Sequence, residues 1–175
     1  MARQRGLPAP EDHWIKQRNA IYEEGMKKGW NPKRESFVQY YGGEALDASL
    51  LLMPLVKFVG PTDPRWLATL NGIQKELSHD TLVYRYKVAE AADDGFSSEE
   101  GRFSICSFWL VECLTRAGRL EEARLALEKM FSYANHLGLF TEEIGPSGEA
   151  LGNFPQALTH LALISAAARL DQTLG

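Results

Sequence analysis

Apolar residues recur at helical spacing along most of the chain, and sustained alternation of the strand type is nearly absent. The first such segment runs from Asp12 to Lys28, where Trp14, Ile15, Ile21, Tyr22 and Met26 share the pattern. Asp12 is placed to cap it, and Gly29 with Asn31-Pro32 to stop it. A short extended piece follows at Ser36 to Tyr41. The next segment, Ala45 to Phe58, is nearly continuous in apolar residues and predicts a helix buried on most sides, kinked at Pro54. A third helix is predicted from Asp63, a cap followed by proline at the first helical position, to Leu77. Thr81 to Lys87 alternates and predicts a short strand, and the acidic, Gly/Ser-containing stretch from Ala89 to Gly101 reads as a surface loop. The fourth helix, Arg102 to Ala117, is apolar nearly all round. The fifth, Leu120 to Asn135, carries charge on one side, and the sixth runs from about Asn153-Phe-Pro155 to Leu170.

Helices that alternate between buried and half-buried predict an all-α chain of hairpins in two layers, an inner and an outer ring. Three hairpins do not close a toroid, so the pattern describes either a short open array or part of a larger ring. The turn at Ala117-Gly-Arg-Leu-Glu-Glu-Ala-Arg124 has the look of a tetratricopeptide unit, yet no 34-residue self-similarity recurs, which counts against a peptide-binding repeat array.

Composition narrows the function classes. The 175 residues carry 19 Lys and Arg against 23 Asp and Glu, a net charge of -4, so there is no basic field of the kind that neutralises nucleic-acid phosphates. The longest apolar run, Leu46 to Val59, contains Asp47, Pro54 and Lys57 and falls short of the roughly 18 to 20 residues of a membrane span. Cys106 and Cys113 lie about 10 Å apart on a helix at 1.5 Å per residue, too far to pair with each other, and read as core thiols. With no disulfide framework and no signal-like apolar run at the N-terminus, the expected compartment is the cytoplasm. His13, His79, His136 and His160 lack metal-ligand spacing, so neither a metal nor a nucleophile is assigned.

Candidate chemistry gathers on the connections that precede the buried helices: Gln39 to Asp47, Tyr84-Arg-Tyr86 with Glu99-Glu-Gly101, and Thr141 to Glu149. In a two-ring architecture these fall on one rim, where aromatics, an arginine and carboxylates suit a carbohydrate. Each has a plainer reading. Asp47 can be a carboxylate at a helix N-terminus, Arg85 the outward face of a strand, and Glu142 and Glu143 exposed loop acids.

The rim stretches, read in order, resemble the C-terminal part of glycoside hydrolase family 15, the glucoamylase and trehalase-like proteins. The matching segments are Arg5-Gly-Leu-Pro-Ala-Pro10, Phe37-Val-Gln-Tyr-Tyr-Gly42, Leu46-Asp-Ala-Ser-Leu-Leu-Leu-Met-Pro-Leu55, Leu82-Val-Tyr-Arg-Tyr86, Glu99-Glu-Gly-Arg-Phe103, Cys106-Ser-Phe-Trp-Leu-Val111, Ala117 to Arg124, and Glu142-Glu-Ile144 with Gly152-Asn-Phe-Pro-Gln-Ala157. The resemblance implies an (α/α)6 barrel, residues 1–175 forming the C-terminal portion of its domain, and inverting hydrolysis of α-glucosidic bonds without a metal. It implies Glu142 as general base, with Glu143 as the alternative. It also implies Arg85 as the clamp on the sugar at the non-reducing end, and Asp47, Tyr86, Glu100 and Trp109 as pocket residues. The substrate class would be an α-glucoside, either a maltooligosaccharide or trehalose.

The family's general acid sits in a Trp-Glu motif upstream of these segments. The four Trp here are followed by Ile15, Asn31, Leu67 and Leu110. Three hairpins of a six-hairpin ring are therefore expected, with the flanks Leu50 to Val56 and Phe103 to Val111 exposed. Those flanks would meet a complementary N-terminal half or a second copy of the chain. The chain alone would be inactive or nearly so. The competing class is a non-catalytic helical protein that keeps sugar binding or associates with itself.

Overall fold

The computed structural model describes residues 3–87 and 101–175, and the Ala89 to Gly101 loop with Glu100 lies outside them but for Gly101. Six α-helices stand among the described residues: α1 (Glu11–Lys28), α2 (Leu52–Leu55), α3 (Pro64–Glu76), α4 (Ser104–Arg116), α5 (Leu120–Phe131) and α6 (Ala157–Leu174). Asp63 does cap α3, its Oδ1 accepting from the Arg65 N–H at 2.9 Å with Pro64 at the first position. Asp12 does not cap α1; the helix starts one residue earlier, at Glu11, with Pro10 ahead of it and Asp12 inside the first turn.

The long second helix is the main correction. A 3₁₀ turn, Ala48–Leu51, passes into the single turn of α2. The residues before it are extended because their backbone groups are engaged elsewhere: Gln39 N–H donates to Ala45 O at 2.9 Å and Ala48 N–H to Arg85 O at 2.7 Å. Pro54 kinks nothing. It sits in a first turn, where its missing N–H has no helical partner to lose.

Short antiparallel pairings join the helix ends. Strand β1 (Trp30–Asn31) pairs with β2 (Ser36–Phe37), and β3 (Ser78–His79) with β4 (Leu82–Val83). Asp80 and Thr81 turn the second hairpin with φ of +50° and +70°, the positive pair that a tight hairpin turn requires. The predicted strand at Thr81 to Lys87 is thus real only at Leu82–Val83. A three-stranded sheet, β5 (Arg102–Phe103), β6 (Glu143–Ile144) and β7 (Ala150–Leu151), delays the start of α4 to Ser104.

The core is built on Trp66, Phe37, Phe108 and Phe140, all sealed from solvent, with α4 packed against both α5 and α6. Phe108 and Phe140 meet edge-to-face at 5.2 Å between centroids. Inside this packing Glu112 of α4 accepts from Arg116 Nη2 at 2.6 Å and from the Ser165 hydroxyl of α6 at 2.7 Å, so the buried carboxylate is satisfied on both oxygens. Cys106 and Cys113 are both free and buried, as expected of core thiols. Burial pushes the Cys113 thiol pKa up, and its Sγ donates to Leu51 O at 3.1 Å.

The exposed flanks are only partly where the sequence predicts them. Phe108, Leu110 and Val111 are covered by α5 and α6, so the stretch from Phe103 to Val111 is not an open face. Exposed apolar side chains gather at two ends, and Tyr40, Tyr41 and Phe154 add more beside the rim. One end carries Trp14, Ile21 and Tyr22 of α1 with Val56 and Phe58, lining an open groove of about 850 Å³. The other is a stripe along α6, where Leu158, Leu161 and Ile164 are 59%, 62% and 63% exposed. No described helix is long and apolar enough to cross a membrane.

Candidate functional site

The three polar connections of the sequence meet along one rim, tied to each other by main-chain bonds. Asp47 opens the 3₁₀ turn, its Oδ1 accepting the Ser49 N–H at 2.7 Å, while Oδ2 accepts from Gln39 Nε2 at 3.0 Å. Its carboxylate therefore does the work of a cap, the plainer of the two readings of the sequence, and its backbone forms an antiparallel bridge with Tyr86. That bridge, with the Ala48-to-Arg85 bond, holds the Tyr84-Arg-Tyr86 segment beside the first connection.

Arg85 is framed by aromatics. Its Nη2 donates to the Tyr86 hydroxyl at 2.7 Å, and its guanidinium lies 4.7 Å from the Tyr86 ring centroid and 5.2 Å from that of Phe103. Phe103 in turn pairs in register with Glu143, and the Ser104 N–H donates to Glu142 O at 3.0 Å, so the second connection is stitched to the third. Arg102 stands over Tyr84 at 4.9 Å and donates to Gly145 O at 3.3 Å, anchoring the loop beyond β6.

The two adjacent acids differ in setting. Glu143 is a strand residue whose Oε2 accepts the Gly101 N–H at 2.8 Å. Glu142 lies just before β6, half-buried, and its Oε2 accepts from both the backbone N–H of Asn153 at 2.9 Å and the Asn153 side-chain amide at 2.8 Å. The return bond, Glu142 N–H to Asn153 O at 3.0 Å, locks the pair together. Gly152, at φ +73°, brings its bare Cα against this carboxylate; a Cβ there would stand 2.8 Å from Oε2. Among the described residues Oε1 accepts no hydrogen bond.

The belt that runs through Gln39, Asp47, Tyr86, Arg85, Phe103 and Glu142 brings together most of the predicted site residues. Trp109 is not part of it: six residues beyond Phe103 on α4, it sits about 9 Å further along the helix axis and packs against the core. Sequence reasoning did not single out Phe103, Gly152 and Asn153 as belt members, and it named Gln39 only as the start of the first connection. A fifth is His160 of α6, which accepts the Phe140 N–H at Nε2 (3.2 Å) and donates from Nδ1 to Gln156 O (2.7 Å), fixing the residue two before Glu142. Among the described residues no three His, Cys, Asp or Glu side chains gather as metal ligands would.

Helical hairpins with polar connections converging on one rim define the half-toroid of a glycoside hydrolase. The chain belongs to glycosyl hydrolases family 15, whose sequence profile matches residues 1–168. It is 44% identical over 174 residues to a trehalase of Thermoplasma acidophilum, a match covering 98% of this chain and 29% of that protein. It is 55% identical over 134 residues to a trehalase of Mycobacterium tuberculosis, covering 76% of this chain and 20% of the relative. The chain thus spans less than a third of the length of these relatives. Among solved structures it superposes on a wild-type glycosidase with a TM-score of 0.76 at 23% identity, covering 93% of this chain and 46% of the other. A point variant of a glycosidase in complex with glucose matches at the same TM-score and 22% identity. The fold is accordingly all-α, of the (α/α)6-toroid type, with about half of the ring in these residues.

Proposed function

We propose that these residues carry the base-bearing half of an inverting α-glucosidase site of trehalase type. The observation that carries the reading is the setting of Glu142: a half-buried carboxylate on the rim, held through one oxygen by Asn153 while the other accepts no hydrogen bond among the described residues. Oε1 is then the atom that takes the proton of a water as that water attacks the anomeric carbon from the face opposite the departing group. Arg85, fixed between Tyr86 and Phe103, is the hydroxyl-binding clamp for the sugar at the non-reducing end. Glu143, tied to Gly101, serves the sheet rather than the reaction. Trehalose is the first substrate to test, since both relatives compared above are named trehalases, and maltooligosaccharides are the second.

The leaving oxygen needs a proton, and an inverting site sets its two carboxyl groups roughly 6.5 to 9.5 Å apart with water between them. None of the four Trp is followed by Glu, so the acid of the family's Trp-Glu motif comes from hairpins outside these 175 residues. Without it the chain hydrolyses its substrate slower by on the order of 10²- to 10⁴-fold. Mixing the chain with a polypeptide that supplies the other hairpins, and measuring glucose released from trehalose and maltooligosaccharides, tests the assignment. Glu142→Gln is expected to abolish release, and undiminished release overturns it.

A second reading rests on the apolar ends. A second copy of this chain, related by a twofold axis, sets the α6 stripe of each copy on the α1 groove of the other, giving a closed ring with two bases and no acid. Sedimentation that finds a stable dimer, without glucose release in any mixture, favours that non-catalytic reading over the hydrolase.

A further inference from the structure

We propose that Asn153 is a positioning residue for the reaction: it fixes the rotamer of Glu142 and assigns its two oxygens different tasks. The inference rests on Glu142 being the base. A carboxylate on a rim has three side-chain torsions, and nothing in the sequence of β6 restrains them. Asn153 supplies the restraint twice over at one atom, by its backbone N–H and by its side-chain amide, both on Oε2. The main-chain bond from Glu142 N–H to Asn153 O fixes the distance between the two residues, so the amide cannot follow the carboxylate into another rotamer. Gly152 closes the remaining side, because its Cα lies where any other residue would put a side chain into Oε2.

The chemical consequence follows from acceptor geometry. With Oε2 saturated by two donors, the proton leaving water passes to Oε1, the new C–O bond forms from the water oxygen, and the bond to the leaving group breaks as that oxygen takes its proton from the acid. The other titratable and charged groups on the packed elements are engaged elsewhere: Glu143 with Gly101, Arg102 with Gly145, Glu149 with Ser147, and His160 between Phe140 and Gln156.

The test reads the Glu142 side chain directly in the 175-residue chain, from its nuclear magnetic resonance scalar couplings. The parent is expected to hold one rotamer, and Asn153→Ala and the isosteric Asn153→Asp, which replaces a donor by a charge, to average over several. Asn135→Ala is the control. That asparagine caps a loop through Leu137 and Leu139 and is structural only, so its loss is expected to lower thermal stability and leave the Glu142 rotamer in place. Circular dichroism shows that each variant is folded, and Asp keeps the size of the native side chain should Ala unfold the loop. A single Glu142 rotamer retained in both Asn153 variants overturns the proposal. In the mixture with the remaining hairpins, Asn153→Asp is expected to lower kcat by about 10- to 100-fold with KM little changed. If Glu142→Gln keeps full activity there while the Asn153 variants still free the Glu142 rotamer, the base assignment fails and with it the catalytic role of Asn153, although the coupling between the two residues stands.

Discussion

Replacing Gly152 by alanine separates the backbone's share of the site from its side-chain share. At φ +73° an L-residue costs about 1–2 kcal/mol, so the variant should melt about 2–8 °C lower. The added methyl would also stand 2.8 Å from Glu142 Oε2 and 2.9 Å from Glu142 Cβ. Ordinary contacts begin near roughly 3.5 Å, so the carboxylate or its strand must retreat by about 0.7 Å. A displacement approaching 1 Å at a reacting group can cost on the order of 10²-fold in rate, so kcat should fall by about 10- to 100-fold in the assembled enzyme while KM holds. Gly138→Ala is the matched control: its φ is +74°, and nothing lies within 4 Å of the new methyl. It should lose similar stability and no kcat. If Gly152→Ala is folded and turns over within twofold of the parent, the contact does not position the base and the reasoning from that glycine is refuted.

Three further outcomes follow. Glu112→Ala removes the acceptor for Arg116 and Ser165 between α4 and α6 and should cost about 1–3 kcal/mol in thermal denaturation, with Arg116 still able to reach water; adding Ser165→Ala should then cost almost nothing more, and full additivity would deny the coupling. Neither Cys106 nor Cys113 should react with a thiol reagent in the native chain, and the labelling rate should track unfolding in denaturant; prompt labelling would contradict the packing of α4. Leu161→Lys should leave the melting temperature of the chain within about a degree, because the side chain is 62% exposed, yet weaken association with the complementary hairpins by on the order of tenfold or more; unaltered association would mean that α6 is not the mating face.

What the sequence made legible follows from the range of the interactions involved. Helix α3 was readable almost to the residue because its signals are local: Asp63 and Pro64 specify the start within one turn. The segment from Ala45 to Phe58 was misread because what decides it is not local. The bonds from Ala45 O to Gln39, and from Ala48 N–H to Arg85, reach across the rim and hold extended backbone that composition alone reads as helix. The same limit applies to the site. Glu142, Arg85 and Asp47 were picked out as candidates through family motifs, whereas the contacts of Asn153 and Gly152 with Glu142 exist only because β7 lies beside β6, eleven residues away from Glu142 in the case of Asn153. The Phe103 to Val111 flank was misjudged for a related reason, since an all-apolar helix does not declare which neighbours cover it and α5 and α6 together cover this one.

The position of the apolar ends bears on how the site is assembled. Every bond that orders the belt, from Gln39 on Asp47 through the Asp47–Tyr86 bridge to Glu142 on Asn153, lies within these residues. The α1 groove and the α6 stripe lie on helix flanks rather than on the rim. Closing the ring therefore buries apolar area without needing to rearrange the belt. On the proposed function, Glu142 and Arg85 are preorganised before an acid arrives, and complementary hairpins would contribute the proton donor and the seal against water rather than the geometry of Glu142. The Glu142 rotamer, read from side-chain scalar couplings in the chain alone and in the closed ring, distinguishes the two cases: a carboxylate held by Asn153 keeps one rotamer in both, whereas one ordered only on closure averages over several in the isolated chain.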